Sequence, residues 1–368
     1  MEVRRLAIIG TGLIGASVAL AAKRAGVAGE VAGYDPDPAA LDAAVVRSAV
    51  DRPSDSLAGA LDEADLAVVA APVAQLATQV RAVLDASAES CTVTDVGSTK
   101  TGVCTVAGGS PRFVGGHPVC GSEARGAENA GAGLFEGATW FLTPLTESDP
   151  ARYRLVHGFV SSLGATPVAV DPEAHDRLVA LTSHLPHALA NLLVNHAGST
   201  RIEGHEPLAA AGGSLRDMTR VAGANPRIWV DIFVENAQPL LAALAEHRRQ
   251  VERLETALEG GDAGFLARWI GEAAGNRRAM LADAFPDPGG LQQLRVHVPD
   301  RPGVLAGITQ ALGAERINIE DFELHHVSPE RGGTLTVLVS GADEAQRAAT
   351  LLESQGYGVV VSPVLSEQ

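Results

Sequence analysis

The chain has 368 residues, of which 46% are hydrophobic and 20% charged, so it is long enough for two or three domains with large cores. Its net charge of -16 argues against nucleic acid or an anionic membrane as the main partner, because phosphate contacts need clustered Lys and Arg. Three cysteines without CxxC spacing, and the lack of a recognisable signal peptide or membrane span, favour a cytoplasmic protein.

The first segment predicts a dinucleotide-binding strand, turn and helix. A buried strand at 5–9 leads into Gly10-Thr11-Gly12-Leu13-Ile14-Gly15 and then into an alanine-rich helix. Here the GxGxxG glycines permit a tight turn, close approach of a pyrophosphate, and helix packing. Asp35 ends a second strand 20 residues after Gly15, where it should accept the ribose hydroxyls and repel a 2′-phosphate. NAD is therefore expected rather than NADP; the alternative for Asp35 is a surface turn.

Alternating strands and helices continue to about residue 170. The runs at 65–70 and 91–96 are short and apolar and lie between Ala- and Leu-rich helical stretches. Such alternation is typical of a parallel sheet, so we expect residues 1–170 to form an α/β Rossmann-type domain.

The rest of the chain changes character twice. Helical periodicity dominates 171–285, most clearly over Asp176–His196 and Asn225–Leu258, and predicts an all-α domain whose long apolar faces imply a homodimer. A Pro- and Gly-rich linker is predicted at 286–293. Residues 294–366 follow a βαββαβ pattern, which predicts an α+β ferredoxin-like domain.

Ligands of an open parallel sheet bind beyond the carboxyl ends of its strands. This rule places Pro72 and Ser98, each in a segment after a predicted strand, beside the fingerprint loop, with Pro72 near the cofactor. His117 follows the apolar stretch 112–114 between glycines, so we expect it on a loop that enters the same cleft. Ser98 should lie near the nicotinamide and His117; its alternative is a helix N-cap.

Five ordered motifs resemble the prephenate/arogenate dehydrogenase family of tyrosine biosynthesis, and the likeness covers nearly the whole chain. They are GTGLIGAS at 10–17, DVGSTK at 95–100, GGHPVCGSE at 115–123, SHLPH at 183–187 and GGSLRDMTRVAGANPRIWVDI at 212–232. The tail from Val298 through Asp300-Arg301-Pro302-Gly303 resembles an ACT domain, a regulatory module that commonly binds amino acids.

The resemblance implies an NAD-dependent oxidative decarboxylation. Hydride leaves C4 of a cyclohexadienol for NAD, the ring carboxylate departs as carbon dioxide, and the ring becomes aromatic. By the same resemblance His117 is the catalytic base that takes the proton of the C4 hydroxyl; Ser98 is a second catalytic candidate because of its predicted position at the sheet edge. An imidazole near its reference pKa of about 6.5 is largely neutral at cellular pH and can accept that proton.

Two histidines of the helical segment are candidate substrate ligands. His184 and His187 lie three residues apart and should share one helix face, with Pro186 opening or kinking the helix. The resemblance assigns His187 to the substrate and His184 to its neighbourhood. The residues alone also allow buried polar positions, whereas a metal site is disfavoured because no carboxylate or cysteine is placed to complete it.

Cations for the substrate carboxylates are expected from the same segment. Arg220 matches the family arginine that clamps a carboxylate, and its alternative is an intrahelical pair with Asp217. Arg216 lies one turn earlier and supplies a second cation or faces solvent. The resemblance also places an acid at Glu123, which would orient a cation or the amino group of arogenate.

In the tail, a turn rich in Pro and Gly enters a helix and leaves backbone amides available to an amino-acid carboxylate. Effector contacts are predicted for Asp300, Gly303, Val304, Leu305, Asn318 and Ile319. Tyrosine is the expected effector, and a ligand-free oligomerisation module is the alternative.

The function expected from this resemblance is that of an NAD-dependent prephenate dehydrogenase, with an arogenate or dual-substrate cyclohexadienyl dehydrogenase as the alternative. A phosphoglycerate dehydrogenase is disfavoured because its fingerprint usually lies in mid-chain, not at Gly10. A non-catalytic NAD or amino-acid sensor is disfavoured because His117 and Arg220 are present.

Overall fold

The computed structural model describes residues 3–120, 124–282, 290–328 and 332–364. Its contacts divide the chain into two compact units, Met1–Arg249 and Gln250–Gln368, each of which is described separately.

One eight-stranded sheet organises the first unit. Its strands are β1 (Val3–Ile9), β2 (Ala28–Tyr34), β3 (Arg52–Pro53), β4 (Leu66–Val69), β5 (Thr92–Asp95), β6 (Phe113–Val119), β7 (Thr139–Pro144) and β8 (Thr166–Ala169). Their order is β3-β2-β1-β4-β5-β6-β7-β8. The first six strands are parallel, whereas β7 runs antiparallel to β6 and β8 runs parallel to β7. The predicted parallel sheet is thus confirmed for the first six strands, and β7 and β8 run in the opposite direction at one edge.

Helices cover both faces of this sheet. They are α1 (Leu13–Arg24), α2 (Pro38–Val46), α3 (Leu57–Leu61), α4 (Val73–Ala86), α5 (Thr101–Ala107) and α6 (Pro150–Ser162). Two of them begin with the pair Asp-Pro: the carboxylates of Asp37 and Asp149 accept from amides of the first turn, and the following proline needs no partner. Separate apolar clusters form the two cores, one around Leu6, Ile8 and Trp140 and the other around Val69, Leu76 and Phe113.

The middle of the chain is helical, as predicted, but more interrupted. Its elements are α7 (Pro172–Val179), a π-helical turn (Ala180–His184), α8 (Leu185–Ser199), α9 (Gly213–Thr219), a 3₁₀ turn (Arg220–Gly223), α10 (Pro226–Glu235), α11 (Ala237–Glu259) and α12 (Ala263–Ala282). The helix predicted over 176–196 is interrupted just before Pro186, which cannot donate a backbone hydrogen bond.

The helical segment predicted over 225–258 is not one continuous helix. It breaks at Asn236, and α10 and α11 are bent by 87°. In the parts of the chain that the structure describes, no single helix is long and apolar enough to cross a membrane, although this bent pair reaches that length and composition when taken together.

The second unit contains the predicted βαββαβ module. It consists of β9 (Leu291–Val298), α13 (Val304–Ala314), β10 (Asp321–Ser328), β11 (Gly332–Ser340), α14 (Ala342–Ser354) and β12 (Gly358–Pro363). The sheet order β10-β11-β9-β12, with antiparallel neighbours, is that of a ferredoxin-like fold. β9 starts at Leu291, so its first three residues occupy the end of the linker predicted at 286–293.

A buried ion pair supports the carboxyl edge of the first sheet. Lys100 and Asp95 have no exposed surface, and the ammonium donates to the Asp95 carboxylate and, at 2.8 Å, to the Gly116 carbonyl. The same carboxylate accepts from the amides of Gly97 at 2.8 Å and Gly116 at 3.0 Å. β6 is therefore fixed to the end of β5 by charge-assisted bonds to both the amide and the carbonyl of Gly116.

These contacts correct the expected loop around His117, which lies inside β6 opposite Phe141 of β7. Gly115 and Gly116 are required by close packing and not by a turn: a Cβ at 115 would overlap the Thr143 hydroxyl, and one at 116 would crowd the Asp95 carbonyl. Since the register of β6 with β5 ends at Val114, His117 lies beyond the end of β5 while it stays paired with β7.

Replacing Asp95 by Asn should destabilise the protein by about 3–5 kcal/mol, because it leaves a buried ammonium without its counter-ion. The matched control is Asp85→Asn, which breaks the exposed pair with Arg81 and should cost at most about 0.5 kcal/mol. Urea unfolding of both variants measures the difference; equal losses would contradict a structural role for the buried pair.

Candidate active site

The fingerprint loop is shaped by two close approaches. Gly10 has φ +94°, and a Cβ there would overlap the Ala70 carbonyl, which brings the ends of β1 and β4 together. A Cβ at Gly15 would overlap the Gly10 carbonyl, so α1 lies directly against the turn. Pro72, the N-cap residue of α4, follows on the β4 side of the same edge.

The start of α1 leaves open space in the place that a phosphate would occupy. Gly12 is the N-cap of α1 without a side-chain cap, and no described atom lies within 4 Å of the position of a Cβ there. The first-turn amides at Leu13 and Ile14 have no intrahelical acceptor, as at any helix start. Asp35 faces this turn: its carboxylate accepts from the Thr11 amide at 2.7 Å. These residues fit a dinucleotide with a free ribose 2′-hydroxyl.

The centre of the cleft is a chain of three side chains. Nδ1 of His117 lies 2.8 Å from Nε2 of His175, and Nδ1 of His175 lies 2.8 Å from an Asp176 oxygen. Phe141 packs edge-on against His175, with ring centroids 5.3 Å apart. His175 has no exposed surface, whereas His117 is partly exposed. Nε2 is therefore the nitrogen of His117 that is available to a ligand.

The electrostatic surroundings keep the His117 ring neutral. Burial lowers its pKa well below 6.5, and the neighbouring His175 and the ammonium of Lys100 lower it further, against the opposing effect of Asp176. The expectation of a pKa near 6.5 is therefore too high, although the conclusion that the ring is neutral at cellular pH is unchanged.

Asp176 receives donors from two parts of the unit. Its carboxylate accepts from the amides of Lys100 and Thr101, both at 2.8 Å, at the start of α5. Burial alone would raise its pKa, but the hydrogen bond from His175 and those from Thr101 and Lys100 hold that pKa below its ordinary value. A side chain of the helical segment thus caps a helix of the nucleotide-binding segment and remains ionised.

The two predicted histidine ligands meet at one aromatic ring. His187 stacks on Trp229 with centroids 3.4 Å apart, and His184 meets the same ring edge-on at 6.0 Å. Nδ1 of His187 donates to the Ser183 carbonyl at 2.9 Å. His184 is buried beside the Asn236 amide, 3.0 Å from its Nδ1, and burial lowers the pKa of His184 to about 4.

The predicted cations are on the surface of the helical segment. Arg220 begins the 3₁₀ turn that packs on α8, and its guanidinium makes neither the alternative pair with Asp217 nor any other ion pair among the described residues. Arg216 lies exposed on α9. The structure does not bring either arginine into contact with His117. Glu123 lies outside the described residues.

Ser98 lies in the β5–α5 loop, partly exposed. It is not the N-cap of α5, because that position is Lys100 and the side chain that caps the helix is that of Asp176. Its hydroxyl makes no hydrogen bond within the described ranges, so the N-cap alternative is wrong and the hydroxyl is open to a ligand.

In the second unit, four of the six predicted effector residues line one pocket of about 310 Å³. They are Asp300, Gly303, Val304 and Leu305, joined by Leu324 and Gly333. Gly303 has φ +89° at the start of α13, a conformation that favours glycine. Asn318 and Ile319 are not part of this lining: Asn318 donates to Glu320, and Ile319 packs on the core.

Sequence reasoning missed His175, Asp176 and Asn236. His175 and Asp176 stand at the start of a recognisable helix, but the contact with His117 spans 58 residues and no local pattern reveals it. Lys100 was noticeable as one of two lysines in the chain, yet its burial against Asp95 follows only from the sheet.

Family models match three consecutive parts of the chain. Residues 18–169 match the prephenate dehydrogenase nucleotide-binding domain, 171–272 its dimerization domain, and 292–356 the ACT domain. The fold class predicted from the sequence is confirmed.

Comparisons with individual relatives agree with these family models. The prephenate dehydrogenase of Bacillus subtilis is 32% identical over 355 residues, 95% of each chain. The crystal structure of Aquifex aeolicus prephenate dehydrogenase with hydroxyphenyl propionate and NAD+ has a TM-score of 0.71 at 29% identity, covering 76% of this chain and 99% of that one. The crystal structure of Synechocystis arogenate dehydrogenase has a TM-score of 0.67 at 28% identity, and the match covers 74% of this chain and 98% of that one.

These matches confirm the predicted enzyme class, an NAD-dependent oxidoreductase, and NAD as its cofactor. The glycine turn and Asp35 agree with that cofactor. The chain belongs to the prephenate dehydrogenase family.

Proposed function

We propose that this protein is a prephenate dehydrogenase, which oxidises and decarboxylates prephenate to 4-hydroxyphenylpyruvate in tyrosine biosynthesis. The observation that carries the proposal is His117, a neutral imidazole on a rigid strand at the sheet edge that also carries the nucleotide turn. A base in that position is what the removal of a hydroxyl proton requires.

In this mechanism Nε2 of His117 accepts the proton of the C4 hydroxyl: the O–H bond breaks as an N–H bond forms. NAD, when bound, supplies the hydride acceptor. Ser98 donates a hydrogen bond to the same hydroxyl oxygen or to the cofactor amide, since its own hydroxyl has no partner in the described chain. Loss of carbon dioxide and aromatisation make the reaction effectively irreversible.

The helical segment supplies the proposed substrate-binding residues. His187 is held by Ser183 and Trp229 and is proposed to contact the substrate side chain. Arg220 clamps a carboxylate, with Arg216 as a second cation and His184 as a neutral neighbour. Glu123 would meet the amino group if the substrate were arogenate, which is the alternative supported by the Synechocystis enzyme.

The active form is proposed to be a homodimer. Several large apolar side chains of the helical segment are more than half exposed in the single chain, namely Leu192, Val230, Val234, Leu241, Leu258 and Ile270. Val230 and Val234 lie four residues apart on one face of α10. A second copy would remove these faces from water, in accord with the dimerization domain of the family.

The ACT domain is proposed to bind tyrosine as a feedback inhibitor. The start of α13 presents backbone amides to the pocket, and Gly303 leaves room for a carboxylate to approach them. Val304 and Leu305 give the same pocket an apolar wall suited to a ring.

The function is tested by steady-state kinetics with prephenate and arogenate, each with NAD and NADP. We expect kcat/KM to be at least about tenfold higher with prephenate and NAD than with any other pair, a difference of about 1.4 kcal/mol in transition-state binding. Equal or better turnover of arogenate would assign the alternative substrate, and no turnover with any pair would favour the sensor.

His117→Asn is the companion variant. It should lower kcat by roughly 10²–10⁴-fold and leave NAD affinity unchanged. Because only the neutral ring accepts a proton, wild-type kcat/KM should fall as pH drops through the pKa of His117, so its acidic limb should lie below pH 6.5. The limb should vanish in the variant; a limb that persists unchanged would remove His117 from this role.

Two glycine variants test the cofactor turn. Gly12→Ala places a methyl group in open space, so it should fold normally while weakening NAD binding by at least about tenfold, because the methyl occupies the approach of the pyrophosphate. Gly15→Ala overlaps the Gly10 carbonyl and should lower the melting temperature instead. Calorimetric NAD titration and thermal unfolding separate the two; undiminished NAD affinity in Gly12→Ala would contradict this site.

Asp300→Ala should raise the tyrosine concentration for half-inhibition by at least about tenfold and leave kcat without tyrosine unchanged, because the residue lines the pocket of the ACT domain and not the catalytic cleft. Asp343→Ala, at the start of α14 and outside that pocket, is the matched control. Inhibition that survives unchanged in the Asp300 variant would place the effector elsewhere.

A further inference from the structure

We propose that His175, oriented by Asp176, is a positioning residue that fixes the tautomer of His117, so that Nδ1 carries the hydrogen and Nε2 is the proton acceptor. The inference deepens the proposed function and rests on it for the meaning of Nε2 as the base. It concerns two residues that no sequence motif had singled out.

The first step is the direction of the bond between His175 and Asp176. The Asp176 carboxylate accepts from two backbone amides, which can only donate. It is ionised, since these bonds and that of His175 hold its pKa down. An ionised carboxylate has no hydrogen to give, so Nδ1 of His175 must donate across the 2.8 Å contact.

The second step is the direction of the hydrogen bond between His175 and His117. In the proposed arrangement His175 is a neutral imidazole with one N–H, which it uses at Nδ1, so its Nε2 is an acceptor. Nδ1 of His117, 2.8 Å away, must then be the donor. The hydrogen of neutral His117 is thereby placed at Nδ1, and the lone pair is placed at Nε2 on the cleft side.

The third step concerns the charge that forms when Nε2 takes the substrate proton. Nδ1–H of the imidazolium continues to donate to His175, and Nδ1–H of His175 continues to donate to Asp176. The groups that face this charge are Lys100, His175, His184 and Asp176, and Asp176 is the anion among them. One intervening imidazole thus couples the new positive charge to a buried carboxylate, as in triads of the Ser-His-Asp kind.

The competing explanation is that His175 only fills space between His117 and Phe141, since the three rings lie in contact. Packing depends on ring volume, whereas tautomer control depends on a donor on one side and an acceptor on the other. Two substitutions separate these properties.

His175→Phe keeps the ring and removes both polar atoms, and His175→Gln removes the ring but can accept from His117 and donate to Asp176. We expect kcat with prephenate to fall roughly 10²–10⁴-fold in the Phe variant, and to stay within about tenfold of wild type in the Gln variant. KM for NAD should not change in either. His157→Gln, on the exposed face of α6, is the matched control and should match the wild type.

Long-range ¹H–¹⁵N spectra of the full-length wild type, labelled at histidine, report the tautomer without turnover. The His117 signal is identified by its loss in His117→Asn. A hydrogen at Nδ1 supports the proposal, and a hydrogen at Nε2 overturns it. Equal kcat in the Phe and Gln variants, whether high or low, also overturns it. If the wild type failed to oxidise prephenate, the proposed function would be wrong, whereas the spectrum would still identify the tautomer of His117.

Discussion

The rest of the site depends on one buried anion, the carboxylate of Asp176. It caps α5 through two backbone amides and holds His175 at 2.8 Å. Its own carbonyl accepts from the side chain of Asn236 at 2.9 Å. Because α7, α5 and the α10–α11 junction all meet at this residue, the relative position of the sheet edge and the helical segment is fixed where His117 needs its partner.

A second constraint concerns which buried groups of the site carry a charge. The cleft buries its polar groups either as satisfied ions, such as Lys100 with Asp95, or as neutral imidazoles, such as His117 and His184. A permanently charged histidine in this place could not accept a proton. The guanidinium groups of Arg216 and Arg220 are instead exposed on the helical segment, where carboxylates can reach them despite the net charge of -16.

What could be predicted from the sequence was local. The GxGxxG turn and Asp35 follow from spacing within 25 residues, and the ferredoxin-like module follows from its order of elements. His117 was identified by its motif but assigned to a loop, because Gly115 and Gly116 give the same signal in a turn and in a strand packed tightly over neighbouring backbone. The break at Asn236 lies three residues before Pro239, which cannot donate to the carbonyl of Glu235, so a local signal for the break was present although helical periodicity runs across it.

Asn236 shows why such residues are decided by tertiary structure. Its amide nitrogen serves both the Asp176 carbonyl and Nδ1 of His184, while its Oδ1 is buried without a partner in the described ranges. Leaving an acceptor unsatisfied costs about 1–3 kcal/mol, so the two contacts of the nitrogen must offset it. The residue also lies at the bend between α10 and α11, whose exposed apolar faces are those proposed for the dimer. The surface proposed for the dimer and the hydrogen-bond chain behind His117 thus meet near one side chain, that of Asn236.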